Sequence, residues 1–170
     1  MSLHINYMTL YIVSNINKIN INNVICYEKI KNNIMNNSDF FKLIYSDELC
    51  TFNGIFWKFT LKDIFIEKYF NKIKCNISDN KYNKDILNNI NKIEKDILLK
   101  FKNNYNKKKI VFRIKEQLEN MCIKLQNSSI KKFSKYDSID FFIKISGIWS
   151  SNSNNECGLT FKFYIISKTI

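Results

Sequence analysis

The chain has 170 residues, 45% of them hydrophobic and 25 of them aromatic (14 Phe, 9 Tyr, 2 Trp), with a net charge of +12. This excludes a disordered tail and leaves one domain, large enough to bury a core and suited by its charge to a polyanionic partner. Proline is absent and glycine occurs three times, so turns have to be built from Asn, Ser and Asp.

Residues 3–13 alternate weakly (Leu3, Ile5, Tyr7, Leu10, Ile12) and predict a first strand. The Asn-rich residues 14–23 read as a loop, 24–30 as a second strand and 31–39 as another link. Residues 40–45 and 54–65 read as strands. In the second of these, Ile55, Trp57, Phe59 and Leu61 share one face, and Phe56, Lys58, Thr60 and Lys62 share the other. Residues 64–77 continue as extended or mixed structure. The period then changes. Ile86, Ile90, Ile93, Ile97 and Phe101 recur at helical spacing, with Ser78 or Asp79 as the N-cap and with Glu94 and Asp96 on the solvent side. Val111, Ile114, Leu118, Met121 or Cys122, and Leu125 give a second helical face that is predicted to end at 127–129. The clearest pattern spans 139–168. There Phe141, Ile143 and Ile145 alternate with Phe142, Lys144 and Ser146, and Leu159, Phe161, Phe163 and Ile165 alternate with Thr160, Lys162 and Tyr164. A Ser- and Asn-rich connection joins the two runs into an antiparallel hairpin. Strands over 1–77, two helices over 80–127 and the hairpin over 139–168 make a single α+β domain.

Catalytic constellations are missing from the sequence. Three scattered glycines make no phosphate loop, and His4, the one histidine, stands alone near the terminus and suggests no Ser-His or Cys-His pair. Cys26, Cys50, Cys75, Cys122 and Cys157 never form a CxxC pair and read as small buried residues of a reducing compartment. Asp137 and Asp140 stand close enough in sequence to share a metal, but read first as solvated carboxylates at a strand start. The expectation is therefore a protein that is not an enzyme and has no cofactor and no metal. The first fifteen residues lack the basic start and cleavage site of a signal peptide, and no apolar run approaches the roughly 20 residues of a membrane span. An intracellular protein, in host nucleus or cytoplasm if viral, is expected, with no membrane partner.

What the sequence does offer is a binding signature. Phe56, Lys58 and Lys62, with Phe142, Lys144, Lys162 and Tyr164, put rings and amines on faces that the alternation leaves outside the core, and Trp149 is added to them as a further stacking ring. A single nucleic-acid strand needs both: lysines for its phosphates, and ring faces for its bases, each stack worth about 1–3 kcal/mol. Lys107, Lys108 and Lys109, then Lys131, Lys132 and Lys135, extend the basic track. A competing account stands beside this one. Arg113 is the only arginine against 26 lysines, and Asn and Ile abound, so AT-rich coding supplies part of the charge.

The final segment resembles the C-terminal hairpin of single-stranded DNA-binding proteins of large DNA viruses, of the poxvirus and insect-virus type. The residues that carry the likeness are Ile145, Gly147, Ile148, Trp149, Gly158, Leu159, Thr160, Lys162 and Phe163. The resemblance implies an OB-like antiparallel β-barrel or curved sheet, with two helices inserted before the hairpin. It also implies sequence-nonspecific binding of single-stranded DNA in replication or recombination, with self-association along the strand. RNA as the ligand, and a structural or interaction protein with no nucleic acid at all, are the alternatives that the sequence leaves open.

Overall fold

The computed structural model describes residues 14–15, 19–69, 72–105, 108–126 and 134–169. Their elements are β1 (Ser14–Asn15), β2 (Val24–Lys31), β3 (Ser38–Ser46), β4 (Thr51–Phe52), β5 (Ile55–Tyr69), β6 (Lys72–Ile77), α1 (Lys81–Lys100), β7 (Lys109–Ile110), α2 (Arg113–Glu119), β8 (Cys122–Gln126), β9 (Ser134–Ser151) and β10 (Glu156–Thr169). The class is α+β, with the strands mostly antiparallel. They join in one sheet that stays open, along the path β2-β3-β9-β5-β6-β8, with β10 on the other side of β9.

β9 is the axis of this sheet. One of its edges pairs with β10 over residues 138–151; the other pairs with β5 over 134–145 and with β3 over 147–151. The handover needs a residue without a side chain. A Cβ on Gly147 would lie 2.4 Å from the Phe41 carbonyl oxygen and 2.4 Å from the Phe40 ring. The alternation read from the sequence survives in β5 and in the hairpin. Ile55, Trp57, Phe59, Leu61, Phe141, Ile143, Ile145, Leu159 and Phe163 are all buried on one side, which we call the inner face. Leu87, Ile90, Ile97 and Leu98 of α1 and Ile114 and Leu118 of α2 complete that core. Full burial of one such side chain is worth about 1.5–3 kcal/mol, so helices and sheet hold each other.

β5 is bent where Asp63 takes a left-handed φ of 52°. From Ile64 onward the inner-facing residues fall on even numbers, Ile64 and Ile66. The buried Asn83 of α1 holds the bend: its Oδ1 accepts the Lys62 N–H at 2.9 Å, and its Nδ2 donates to the carbonyls of Lys62 and Ser78 at 2.8 and 2.9 Å. Ser78 Oγ donates to the Asp63 carbonyl at 2.6 Å.

Several expectations are corrected here. The second helix ends at Glu119, and residues 122–126 are strand, not helix. Met121 adopts a left-handed φ of 48°, and β6 offers an open edge on which Ile123 and Leu125 can alternate inward. The tertiary pairing overrides a periodicity that both structures fit. The α1 cap is Asn80, whose side chain accepts the Asn83 N–H at 2.8 Å; it is neither Ser78 nor Asp79. Glu94 is fully buried, not on the solvent side, because it serves the start of α2: Oε1 accepts the Ile114 N–H and Oε2 the Lys115 N–H, both at 2.9 Å. The residues read as loop before β2 include β1, which runs parallel to β5, and a 3-10 turn over Ile21–Asn23. Strand β3 begins at Ser38, inside the predicted link. Cys75, Cys122 and Cys157 are buried as expected, but Cys26 and Cys50 are partly exposed. The first predicted strand, 3–13, lies outside the described residues.

Candidate functional site

The outward side of β5, β9 and β10 follows from register alone. β9 lies between the other two, so each of its outward residues has a partner on both sides. Lys144 is opposite Phe56 of β5 and Lys162 of β10. Phe142 is opposite Lys58 and Tyr164, and Asp140 is opposite Thr60 and Ser167. Lys62 faces Ser138 at the lower end. Six of the residues expected to bind nucleic acid, Phe56, Lys58, Phe142, Lys144, Lys162 and Tyr164, therefore stand in two adjacent rows of one three-stranded face, with Lys62 two rows further on.

Local contacts give these rows their shape. The ammonium of Lys144 sits 5.2 Å from the centre of the Phe56 ring, and that of Lys62 4.7 Å from the ring of Tyr82 at the start of α1. Both are cation–π distances. Phe142 and Tyr164 stack with centroids 4.5 Å apart and planes 10° from parallel. Phe142 is thereby only 8% exposed, whereas Tyr164 is 36% exposed. The expectation that Phe142 is an open ring is corrected: it is the floor beneath Tyr164. Gly54 lets β5 start this close to β9. It has a φ of 113°, and a Cβ there would meet the Ile145 carbonyl oxygen at 2.8 Å.

Asp140 stands in the row next to Phe142, and from the sequence alone it reads first as a solvated strand end and second as a metal partner of Asp137. Lys58 Nζ lies 2.6 Å from Oδ2, Ser167 Oγ donates to the same oxygen at 2.8 Å, and Thr60 Oγ1 donates to Oδ1 at 2.6 Å. Partial burial pushes the Asp140 carboxyl up, but the Lys58 ammonium and the two hydroxyls outweigh it and hold the group below its ordinary range. Residues 140 and 167 meet in the hairpin and residue 60 joins their row through the pairing of β5 with β9, which the sequence pattern does not show. Lys58 is thus neutralised in place. Lys144 and Lys162 are directly opposite each other, and among the described residues neither has a carboxylate partner.

The remaining expected residues are not part of this face. Trp149 is half-buried beyond the β9 irregularity, opposite Phe40 and Gly158. Lys108 Nζ donates to Asn152 Oδ1 at 2.5 Å, and Lys109 pairs with Glu156 at 3.5 Å, both at the turn end of the hairpin. Glu156 is opposite Ser151, seven residues along β9 from Lys144, or roughly 23 Å away. Lys107, Lys131 and Lys132 lie outside the described residues; Lys135 is exposed and opposite Phe65.

Asp137 is exposed, and Asp140 is engaged by Lys58, Thr60 and Ser167. No group of three or more His, Cys, Asp or Glu side chains able to hold a metal ion occurs among the described residues. Burial pushes the Cys157 thiol up to about 11, which leaves it protonated at neutral pH and a poor nucleophile. No described helix is long and apolar enough to cross a membrane. Comparison with family models, curated proteins and solved structures finds no match for this chain.

Proposed function

We propose that the protein binds single-stranded nucleic acid, DNA in the first instance, without sequence preference, through the outward face of β5, β9 and β10. One observation carries this reading: Lys144 and Lys162 are cross-strand partners with no carboxylate between them. Like charges directly opposite each other destabilise a sheet, and a bound phosphate relieves that cost. Rings are at hand on the same two rows. Phe56 lies beside Lys144, and Tyr164 stands on the Phe142 floor beside Lys162. Phosphates held by Lys144 and Lys162, with bases laid on Phe56 and Tyr164, make a platform that tolerates any base. A duplex hides its base faces and gains only the phosphate contacts. The role that suits such a surface is coating strands exposed in replication or recombination of the viral type.

The OB-like relation belongs to the same proposal. Long, register-shifted strands that bend the sheet support it, as do the helices placed ahead of the final hairpin. An open curved sheet presents this face as well as a closed barrel does. The competing reading, an interaction protein without nucleic acid, is favoured by the path-end strand β2, where Ile25, Tyr27 and Ile30 are each about half exposed.

The test is the affinity of a fluorescent oligothymidylate, and of a duplex of equal length, across salt. With about three phosphates neutralised, log K should fall against log salt with a slope of about −2, and the single strand should bind more tightly than the duplex. Salt-independent binding, or preference for the duplex, removes the proposal.

A further inference from the structure

We infer that the groove between α2 and the outward side of β6 and β8 is a second anion subsite, which takes the phosphodiester backbone of the same strand further along its path. The inference rests on the single-strand reading above and gives that site its length. Past the Asp63 bend, the outward residues of β5 are Phe65 and Glu67. Phe65, 42% exposed, is opposite Lys135 of β9 on one side and Asn76 of β6 on the other. In the next row Glu67 is opposite Lys74, and Lys74 is opposite Lys124 of β8. The arrangement of the first face recurs: an outward ring, and beside it two lysines on neighbouring strands directly across from each other.

The second lysine pair borders an actual concavity. A groove of about 530 Å³ is lined by Lys74, Cys122 and Lys124 from the strands, by Arg113, Glu116 and Gln117 from α2 and by Asn120 just after it. Its carboxylate is already engaged, since Arg113 Nη1 donates to Glu116 Oε2 at 2.9 Å. Glu67, outside the groove, pairs with Lys74 at 3.1 Å. Among the described residues Lys124 has no ion pair, and the buried Nε2 of Gln117 has no acceptor. An oxyanion in the groove supplies a counter-charge for Lys124. Burial pushes the Cys122 thiol up, with the charges of Lys74 and Lys124 pulling the other way.

The bend between the two halves is held by Asn83 and Ser78, so the halves keep a fixed spacing. Phe56 and Glu67 are eleven residues apart on β5, or roughly 35 Å. At about 3.4 Å per phosphate that path takes about ten nucleotides, and fewer when the strand is extended. A short strand occupies the Phe56–Tyr164 end alone; only a longer one reaches the groove.

The experiment compares oligothymidylates of about 4 and about 12 nucleotides on the wild-type protein and on Lys124→Glu, with thermal melting as the check that the variant folds. Lys124 is exposed, so the substitution leaves the core untouched. The expected result is that Lys124→Glu weakens the longer strand about tenfold and flattens its salt dependence, while the shorter strand binds both proteins equally. If the variant weakens both lengths alike, or neither, the groove is not on the path and the inference falls while the single-strand reading stands. If wild-type protein binds neither length at low salt, the single-strand reading itself falls.

Discussion

Tyr164 lies flat on Phe142 across β10 and β9, ring centres 4.5 Å apart, on the side of the sheet that faces away from the core. Aromatic pairs of this kind contribute about 0.5–1.5 kcal/mol beyond the area they bury. In a plain two-layer protein such a stack would only shield the sheet. Here it leaves one ring open above a closed one, between Lys58 and Lys162. Tyr164→Ala removes the upper ring and should weaken oligothymidylate binding by about 1–3 kcal/mol, the worth of one stacked base. Tyr164→Phe keeps the ring and should bind as the wild type does. Melting curves and binding isotherms of the two variants decide it: if Tyr164→Ala loses stability but not affinity, the stack is structural alone.

Asp140 governs how much of the positive charge on this face is free. It occupies Lys58 at 2.6 Å and is steadied by Thr60 and Ser167. Asp140→Asn keeps the hydrogen-bonding shape and releases the Lys58 ammonium, so it should tighten oligothymidylate binding and make its salt slope steeper by about 0.7. The pH dependence follows from the same contacts. The folded carboxyl titrates lower than the unfolded one, so its contribution to stability is present above the unfolded value of about 3.9 and is lost as pH falls through the folded one. Acid unfolding of Asp140→Asn should therefore be less steep than that of wild type, and denaturant titrations across the acid range measure the difference. An Asn variant that binds more weakly would mean that Asp140, rather than Lys58, touches the ligand.

Much of this face was legible in the sequence because β alternation is strict and the hairpin fixes its own register. Phe142, Lys144, Lys162 and Tyr164 had to share a side once residues 139–168 were paired. That Phe56 and Lys58 join them depended on β5 running beside β9, a contact between residues about 86 positions apart, for which alternation carries no signal. The second helix failed for a related reason. Residues 111–125 fit a helical period, yet the open edge of β6 pairs with 122–126, and that pairing decides the outcome. Lys108 and Lys109 show the limit of counting charges: a basic run in sequence became two amines already engaged by Asn152 and Glu156. The buried Asn83 and Glu94 left no trace in the pattern, since the partners that explain them, the backbone of Lys62 for Asn83 and of Ile114 and Lys115 for Glu94, lie about twenty residues away.

Glu94 is the case with the largest stability consequence. Its carboxylate satisfies two amide groups at the start of α2, a helix whose own N-cap residue, Phe112, has no side chain able to do so. Glu94→Ala leaves both N–H groups without their acceptor; Ile114 is fully buried, so water does not replace it there. Loss of a cap costs about 0.5–2 kcal/mol, and an unsatisfied buried donor about 1–3 kcal/mol, so a loss of about 2–4 kcal/mol is expected. Glu94→Gln keeps one acceptor and should lose about half as much. The carboxyl is pushed up by burial, against the pull of the Ile114 and Lys115 amides. A raised folded value means that this group favours folding fully below the unfolded value of about 4.3, and that the advantage is lost as pH rises through the folded value. The sign is thus opposite to that of Asp140. Denaturant titrations of wild type and Glu94→Gln from pH 4 to pH 8 should show the gap between them narrowing as pH rises through the Glu94 titration, and a gap that widens instead would show that the ionised carboxylate is the better cap.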